Sequence, residues 1–442
     1  MSIFGRLMPR PNWILLCFAG AVLVALVDPR GHAWLAVGGL LVWAAGAIVI
    51  AWGLRRSAMV PVAVLTAGVG LRLLTLLVEP QYSDDLFRYL WEGRVQLAGL
   101  NPFLYPPDDP ALAHLRDDTW ASVNHRSVST IYPPGALLLF RGVSATLYAP
   151  LGWKLLAAAA DIGVLLLLVV IVRDRGGRAW APAVYALHPM PILESAGSGH
   201  LESVALLGLT AAVLLWDRGR PAAALLAATG GALIKLLPAV AAIPALRELV
   251  TTPEVPERRR IAAALAAALG VTAALSLPFL DAGLTVGRGF STYYDAWAYN
   301  ASLFPLLLKL VGDPGVARAI GVVIGAALCA HAAWRLRDPA RLALFVAACL
   351  ILLSPVVHPW YMLWALVPAL AVGAWPWVVL ATTALLSYLV LGTYSPATHS
   401  WSEPAWIPWV EYPPLMLAVL WCWLTRWRPW TPPPSPQRPP SP

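Results

Sequence analysis

AWLAVGGLLVWAAGAIVIAWG, residues 33–53, contains no charged side chain. A helix of this length covers roughly 30 Å of hydrocarbon at about 1.5 Å per residue. Comparable stretches run along the whole chain, at 12–27, 59–78, 133–150, 153–172, 179–196, 200–216, 221–246, 261–280, 314–335, 340–356, 358–373, 375–394 and 409–425. They are continuous and rich in Leu and Ala rather than alternating, which excludes a transmembrane β-barrel. The composition agrees. Of 442 residues, 59% are hydrophobic and 12% charged, against about 25% charged in a soluble globular chain. The expected fold class is an all-α polytopic membrane protein with 11–14 spans, forming a single integral membrane domain over 1–428. The proline-rich tail 429–442 is expected to be disordered and cytoplasmic.

The net charge of +8 is carried by short basic clusters between the apolar runs, so it reads as an orientation signal and not as a nucleic-acid surface. Arg6/Arg10, Arg55/Arg56, Arg258–Arg260, Arg335/Arg337/Arg341 and Arg426/Arg428 belong on the cytoplasmic side, with both termini. Loops 79–132 and 281–313 then face outward from the plasma (inner) membrane. Simple alternation would put Arg173–Arg178 (RDRGGR) outside, against the rule. A re-entrant or half-length helix within 133–172, and another around Lys235, would restore it. The four cysteines lie within apolar stretches without a paired motif and indicate neither a disulfide framework nor a metal cluster. The first apolar run reads as a retained helix, for want of a small-residue cleavage site.

Loop 79–132 is the informative connection. It holds eight of the 23 acidic residues. Its stretch Leu86–Leu97 has amphipathic spacing and is expected to form a short interfacial helix, with Arg88, Glu92 and Gln96 off the apolar face. Before it stand Asp84 and Asp85. A partly dehydrated carboxylate beside a like charge is a candidate general base, and the pair can also bind a divalent cation. Ser83 or Asp84 can equally cap the helix. Asn124 and His125 lie near the membrane surface, where they can touch a sugar. Tyr132 opens a Tyr-Pro-Pro helix start. His200 and Glu202 sit beside an apolar segment, where ionisable groups are costly and often functional. Their spacing places them on different helical faces, and no third ligand nearby completes a zinc site. Lys235 lies deep within an apolar run and needs a cavity, an anion or a snorkelling path. His358, in an outer turn, can contact a phosphate or a hydroxyl. Tyr293 and Asn300 belong to an aromatic and polar loop that suits sugar stacking and an interfacial belt equally.

Five motifs together resemble the GT-C class of polyprenyl-phosphate-sugar-dependent glycosyltransferases: SDDLFRYLWEGRVQLAGLNPF (83–103), NHRSVSTIYPPGA (124–136), HPMPILESAGSGHLES (188–203), IKLLP (234–238) and SPVVHPWYMLW (354–364). The chain is most similar to the bacterial glycosyltransferase 87 and polyprenol-phosphate-mannose α-mannosyltransferase groups. The resemblance implies a GT-C fold with a large catalytic external loop, and an Asp general base that maps to Asp84 or Asp85, with Asp84 narrowly favoured. It also implies a donor phosphate contacted by His358, with Lys235 and Arg88 as further cationic partners. It further implies transfer of a hexose, mannose first, from a polyprenyl-phosphate donor to a glycan or glycolipid acceptor in the bilayer, with inversion. No particular cofactor is indicated, and a divalent cation is compatible. The alternative is a multi-span transporter or lipid-linked-sugar flippase. That reading does not account for the long acidic loop.

Overall fold

The computed structural model describes residues 12–395, 398, 400–427 and 430. The proline-rich tail, apart from Trp430, and the basic residues Arg6, Arg10 and Arg428 lie outside them. The described residues are helical, with isolated β-bridges only, at Tyr299–Val356 and Ser395–Ser400. In chain order the α-helices are α1 (Asn12–Leu26), α2 (Ala33–Gly53), α3 (Val62–Leu76), α4 (Asp85–Leu97), α5 (Asp118–Ala121), α6 (Pro134–Thr146), α7 (Pro150–Asp174), α8 (Trp180–Leu187), α9 (Pro189–Ile192) and α10 (Glu202–Asp217). They continue with α11 (Pro221–Ala232), α12 (Ile243–Thr251), α13 (Val255–Ser276), α14 (Arg288–Ala296), α15 (Phe304–Val311), α16 (Pro314–Arg335), α17 (Pro339–Leu353), α18 (Met362–Val372), α19 (Pro376–Thr383) and α20 (Ile407–Leu424). Six described helical segments are long and apolar enough to cross a membrane, and five shorter apolar helices accompany them. The chain is an all-α, multi-pass membrane protein.

The largest apolar core is built by α2, α3, α7, α8, α10, α17 and α18 together with 384–390. By contrast α13 and α16 bury few of their apolar side chains, as lipid-facing helices do. Inside the core lies an ion pair: Arg72 of α3 meets Asp161 of α7, and both side chains are fully buried. The remaining guanidinium donors go to the carbonyls of Gly68, Ala186 and Tyr185, and the Tyr185 hydroxyl donates to Asp161 at 2.5 Å. A buried charge is tolerable only when paired and saturated in this way. About two turns earlier on α7, the Lys154 ammonium donates to the carbonyls of Thr75 (2.9 Å), Leu76 (3.1 Å) and Val78. A cation on the last carbonyls of α3 satisfies its exposed end and fixes where the acidic loop leaves the core.

The basic clusters collect at one end of the molecule. Ala179 N donates to Ser57 O, Arg175 pairs with Asp217 and Asp338, and Arg247 reaches the Trp334 carbonyl at 2.5 Å. RDRGGR therefore shares an end with Arg55–Arg56 and Arg335–Arg341. Two short elements make this possible. Helix α6 has 13 residues, about 20 Å, too short to cross. The 221–246 stretch is no single span but a hairpin: α11 rises from the basic end, turns at Leu233–Leu236, and returns through Leu237–Ala242 and α12. Lys235 sits at its tip. Ala136 N of α6 donates to Leu233 O at the end of α11, at 3.1 Å, so one short helix caps the other.

Helix α4 begins where the sequence places it, but its polar face is not free. Arg88, Glu92 and Gln96 are buried. Gln96 donates to Leu137 O at 2.7 Å, and Gly93 allows α6 to approach so closely that a Cβ there would meet Ser144 Oγ at 2.2 Å and Phe140 O at 2.4 Å.

Candidate active site

A cavity of about 220 Å³ opens where the start of α4, the 124–132 segment, the hairpin tip and the 356–361 connection converge. It gathers Asp84, Asp85, Arg88, Asn124, His125, Tyr132, Lys235, Tyr293 and His358. The two acids have different surroundings. Asp84 Oδ1 accepts from Arg30 Nη2 at 2.8 Å, and Oδ2 accepts from the Tyr394 hydroxyl at 2.9 Å. Although Asp84 is the N-cap residue of α4, its side chain caps nothing; Ser83 Oγ accepts from Asp85 N instead, at 3.3 Å. Among the described residues Asp85 has no such cation at hydrogen-bond distance. Its Oδ1 accepts from Asn124 Nδ2 at 2.9 Å, and its side chain is 23% exposed toward the cavity. Burial raises the Asp85 carboxyl above the usual 3.8; the Asn124 bond, Lys235 and Arg88 oppose the rise, and Asp84 adds to it.

Arg88, expected to bind phosphate, has another task. Its Nη1 donates to Glu92 (3.2 Å) and Val128 O (3.1 Å), and its Nη2 to Asn124 O (3.1 Å) and His125 O (2.7 Å). The guanidinium thus pins the segment that carries Asn124. That segment also holds His125 at a φ of 44°, its ring 4.6 Å from Trp297 and 6.0 Å from Trp401.

Opposite the acids, Lys235 pairs with Glu202 and lies 5.6 Å from the Tyr361 ring and 5.5 Å from Trp364. Its side chain remains 21% exposed, so the deep lysine has both a carboxylate and a cavity. His358 stacks on Trp360 at 4.4 Å, nearly parallel, and on Tyr299 at 5.1 Å. Burial, reinforced by Lys235 and His125, pushes the His358 imidazole down to about 3, leaving a neutral ring at pH 7. Tyr293 and Tyr361 share a hydroxyl hydrogen bond of 2.9 Å.

Three expected residues do not line the cavity. His200 and Glu202 stand behind its wall. Asn300 is buried elsewhere: its backbone N–H donates to Glu403 and its side-chain amide to Glu411 (3.0 Å), while Tyr412 donates to its carbonyl. Asn300 holds a wall and contacts no open space, because Tyr299 next to it pairs with Val357 N and Pro355 O. Arg30 and Tyr394 lie outside every motif read in the sequence, and Trp360 and Glu194 lie inside the 354–364 and 188–203 motifs without a role assigned to them. Only Glu194, an acid inside an apolar run, carried a signal that could have found it. Among the described residues no group of three or more His, Cys, Asp or Glu is arranged to hold a metal.

Residues 130–359 match the family model of glycosyltransferase family 87, and residues 313–427 match that of the MptB C-terminal domain. No curated protein and no solved structure matches the chain significantly. The first match covers more than half of the chain and takes in Tyr132, Lys235, Tyr293 and His358 of the cavity, while Asp84 and Asp85 lie outside it, about 45 residues upstream. The chain therefore belongs to glycosyltransferase family 87 and is a multi-span membrane glycosyltransferase.

Proposed function

We propose that the protein moves a hexose, mannose first, from a polyprenyl-phosphate donor to a glycan or glycolipid acceptor. Transfer takes place on the extracytoplasmic side of the plasma membrane, within one catalytic domain over 1–428 whose loops 79–132 and 281–313 face outward. The observation that carries this reading is the cavity whose lining brings together Asp85, Lys235 and His358. Asp85 is the general base. The acceptor O–H bond breaks as its oxygen bonds to the anomeric carbon, and Asp85 takes the proton. The bond from that carbon to the phosphate oxygen breaks on the opposite face, and the phosphate leaves with the electron pair. A single displacement of this kind inverts the anomeric centre. Phosphate is a good leaving group, so no general acid is needed; one carboxylate of the inverting pair suffices.

Asp85 is favoured over Asp84 because Asp84 is already engaged by Arg30 and Tyr394, whereas Asp85 faces the cavity with its carboxyl raised by burial. Lys235 supplies positive charge to the departing phosphate, exchanging Glu202 for it. A neutral His358 donates one N–H to it. His125, Trp297 and Trp401 form an aromatic rim on which a sugar ring can stack, with Asn124, Tyr132 and Tyr293 at its polar edge. The test is purified protein incubated with a panel of prenyl-phosphate hexoses, followed by mass spectrometry of the lipid products. A glycosylated product with wild type and none with Asp85→Asn supports the reading. Sugar transfer at the wild-type rate by Asp85→Asn, or none by wild type with any panel member, removes it.

A further inference from the structure

Helix α4 opens on Asp84, at the N-cap position where an aspartate ordinarily accepts from a backbone N–H of the first turn. This one makes no cap hydrogen bond. Both of its oxygens are turned to residues far away in the chain, Oδ1 to Arg30 Nη2 at 2.8 Å and Oδ2 to the Tyr394 hydroxyl at 2.9 Å. The Arg30 guanidinium also lies over the Tyr394 ring, 4.6 Å from its centroid, so the three side chains close on one another. Arg30 stands in the turn between α1 and α2. Asp28 holds that turn, its carboxylate accepting from Arg30 N at 3.0 Å and its carbonyl from His32 N at 2.9 Å. The Asp84 side chain is 16% exposed and that of Arg30 36%, and all three residues line the cavity together with Asp85. Neither Arg30 nor Asp84 falls within the stretches matched by the family models.

Two neighbouring carboxylates at a partly dehydrated site do not ionise independently. The charge of one makes the other hold its proton, and the pair shares it. A base that shares a proton with its neighbour is idle part of the time. Asp84 does push the Asp85 carboxyl up. The other charged groups around Asp85 are Arg88 on its own helix, Lys235 at the hairpin tip, Glu202 of α10, and Glu194 and His200 of the segment before α10. The phenols of Tyr89, Tyr132, Tyr293 and Tyr361 face it as well. Arg88 is paired with Glu92, and Lys235 with Glu202. Among the described residues the cation bonded to Asp84 is Arg30.

We propose that Arg30 is a positioning residue for sugar transfer: its charge holds Asp84 as a paired carboxylate, so that the two acids do not compete for one proton and Asp85 alone takes the proton of the acceptor hydroxyl. The inference rests on the reading of Asp85 as base, and Arg30 acts on Asp85 through Asp84. The α1–α2 hairpin, which lies outside the glycosyltransferase 87 match, thereby completes the electrostatics of the site. The sign of each change follows. Removing Arg30 leaves the Asp84 charge unbalanced, disfavours the Asp85 carboxylate and moves the acid limb of kcat/KM to higher pH. Removing the Asp84 charge leaves the guanidinium unbalanced and moves the limb to lower pH. Removing both places it between.

The test is the pH profile of kcat/KM for the full-length purified enzyme, with the prenyl-phosphate hexose of the panel that wild type uses. Arg30→Met is expected to raise the acid limb by about 0.5–1 in pH. That is a loss of about 3- to 10-fold on the limb, and it closes on the alkaline plateau. Asp84→Asn lowers the limb, and the double variant falls between the two single ones. Arg30→Lys keeps the charge and returns the limb to the wild-type position. Arg30→Gln takes the place of Arg30→Met if that variant does not fold. An unmoved limb in the uncharged variant, or an equal loss at every pH, overturns the proposal, because lost packing lowers the rate without moving the limb. Asp85→Asn separates the two readings. If it still transfers sugar, the base assignment fails whatever the Arg30 variants do. If it is inactive while the Arg30→Met limb stays in place, the role of Arg30 alone fails.

Discussion

Asp84 and Asp85 are adjacent in the chain and opposite in environment. One is spent on Arg30 and Tyr394; the other faces the cavity with a single amide on one oxygen. Removing a general base typically costs 10²–10⁴-fold in rate, so Asp85→Asn is expected to lose transfer by about that factor. Asp84→Asn should keep measurable activity, because it breaks a supporting contact; the comparison is read by mass spectrometry of lipid products. The pH dependence has a definite sign. Asp85 works only as a carboxylate, and burial raises its pKa above 3.8. Activity is therefore full above that raised value and is lost as pH falls through it, and the acid limb of a kcat/KM profile should lie above the ordinary carboxylate position. Lys235→Ala should raise the donor KM more than the acceptor KM, as expected for a residue that meets the phosphate.

At the scale of helices, the contact between α4 and α6 sets the angle from which the acids enter the cavity. A Cβ at Gly93 runs into the α6 backbone, whereas one at Gly142, on α6 itself, meets nothing within 4 Å. Gly93→Ala should destabilise the protein by about 1–3 kcal/mol, and Gly142→Ala should be neutral or slightly stabilising; thermal unfolding in detergent reads both. Much of this level was legible in advance. Continuous apolar runs revealed the membrane character, although only six described segments are long and apolar enough to cross, with five shorter apolar helices beside them; the charge rule suggested a short element within 133–172 and another at Lys235, and α6 and the 221–246 hairpin are such elements. The polar face of α4 was not legible, because its tertiary partners, the carbonyls of Asn124, His125, Val128 and Leu137 and the Thr130 hydroxyl, stand 36 or more positions away. The same reason hid Arg30 and Tyr394: the residues that occupy Asp84 lie 54 and 310 positions from it, and no local pattern encodes such a meeting. Motif residues such as Lys235 and His358 were found because an ionisable group in or beside an apolar run is conspicuous by itself.

For the whole molecule, charge pairs lock the bundle at two levels. Arg72–Asp161 ties α3 to α7 in the core, and Arg175 ties the ends of α7 and α10 to the start of α17. Breaking a buried pair from one side leaves an unpaired charge and costs about 3–5 kcal/mol. Arg72→Met should therefore be severely destabilising, and the double variant with Asp161→Leu should recover much of the loss in the same unfolding assay. Orientation is checked by membrane-impermeant thiol labelling of intact cells: a cysteine placed at Asp118 should react, and one placed at Arg258 only after permeabilisation.

The end-to-end meeting of α6 and α11 bears on how the protein is made. Neither helix is long enough to be retained by the bilayer unaided, so the translocation machinery has no reason to stop at either. Both must settle after their longer neighbours are already in place. The pocket is then a late product of biogenesis, and substitutions at the Gly135–Leu233 junction should yield full-length chains that enter the membrane on schedule and never mature.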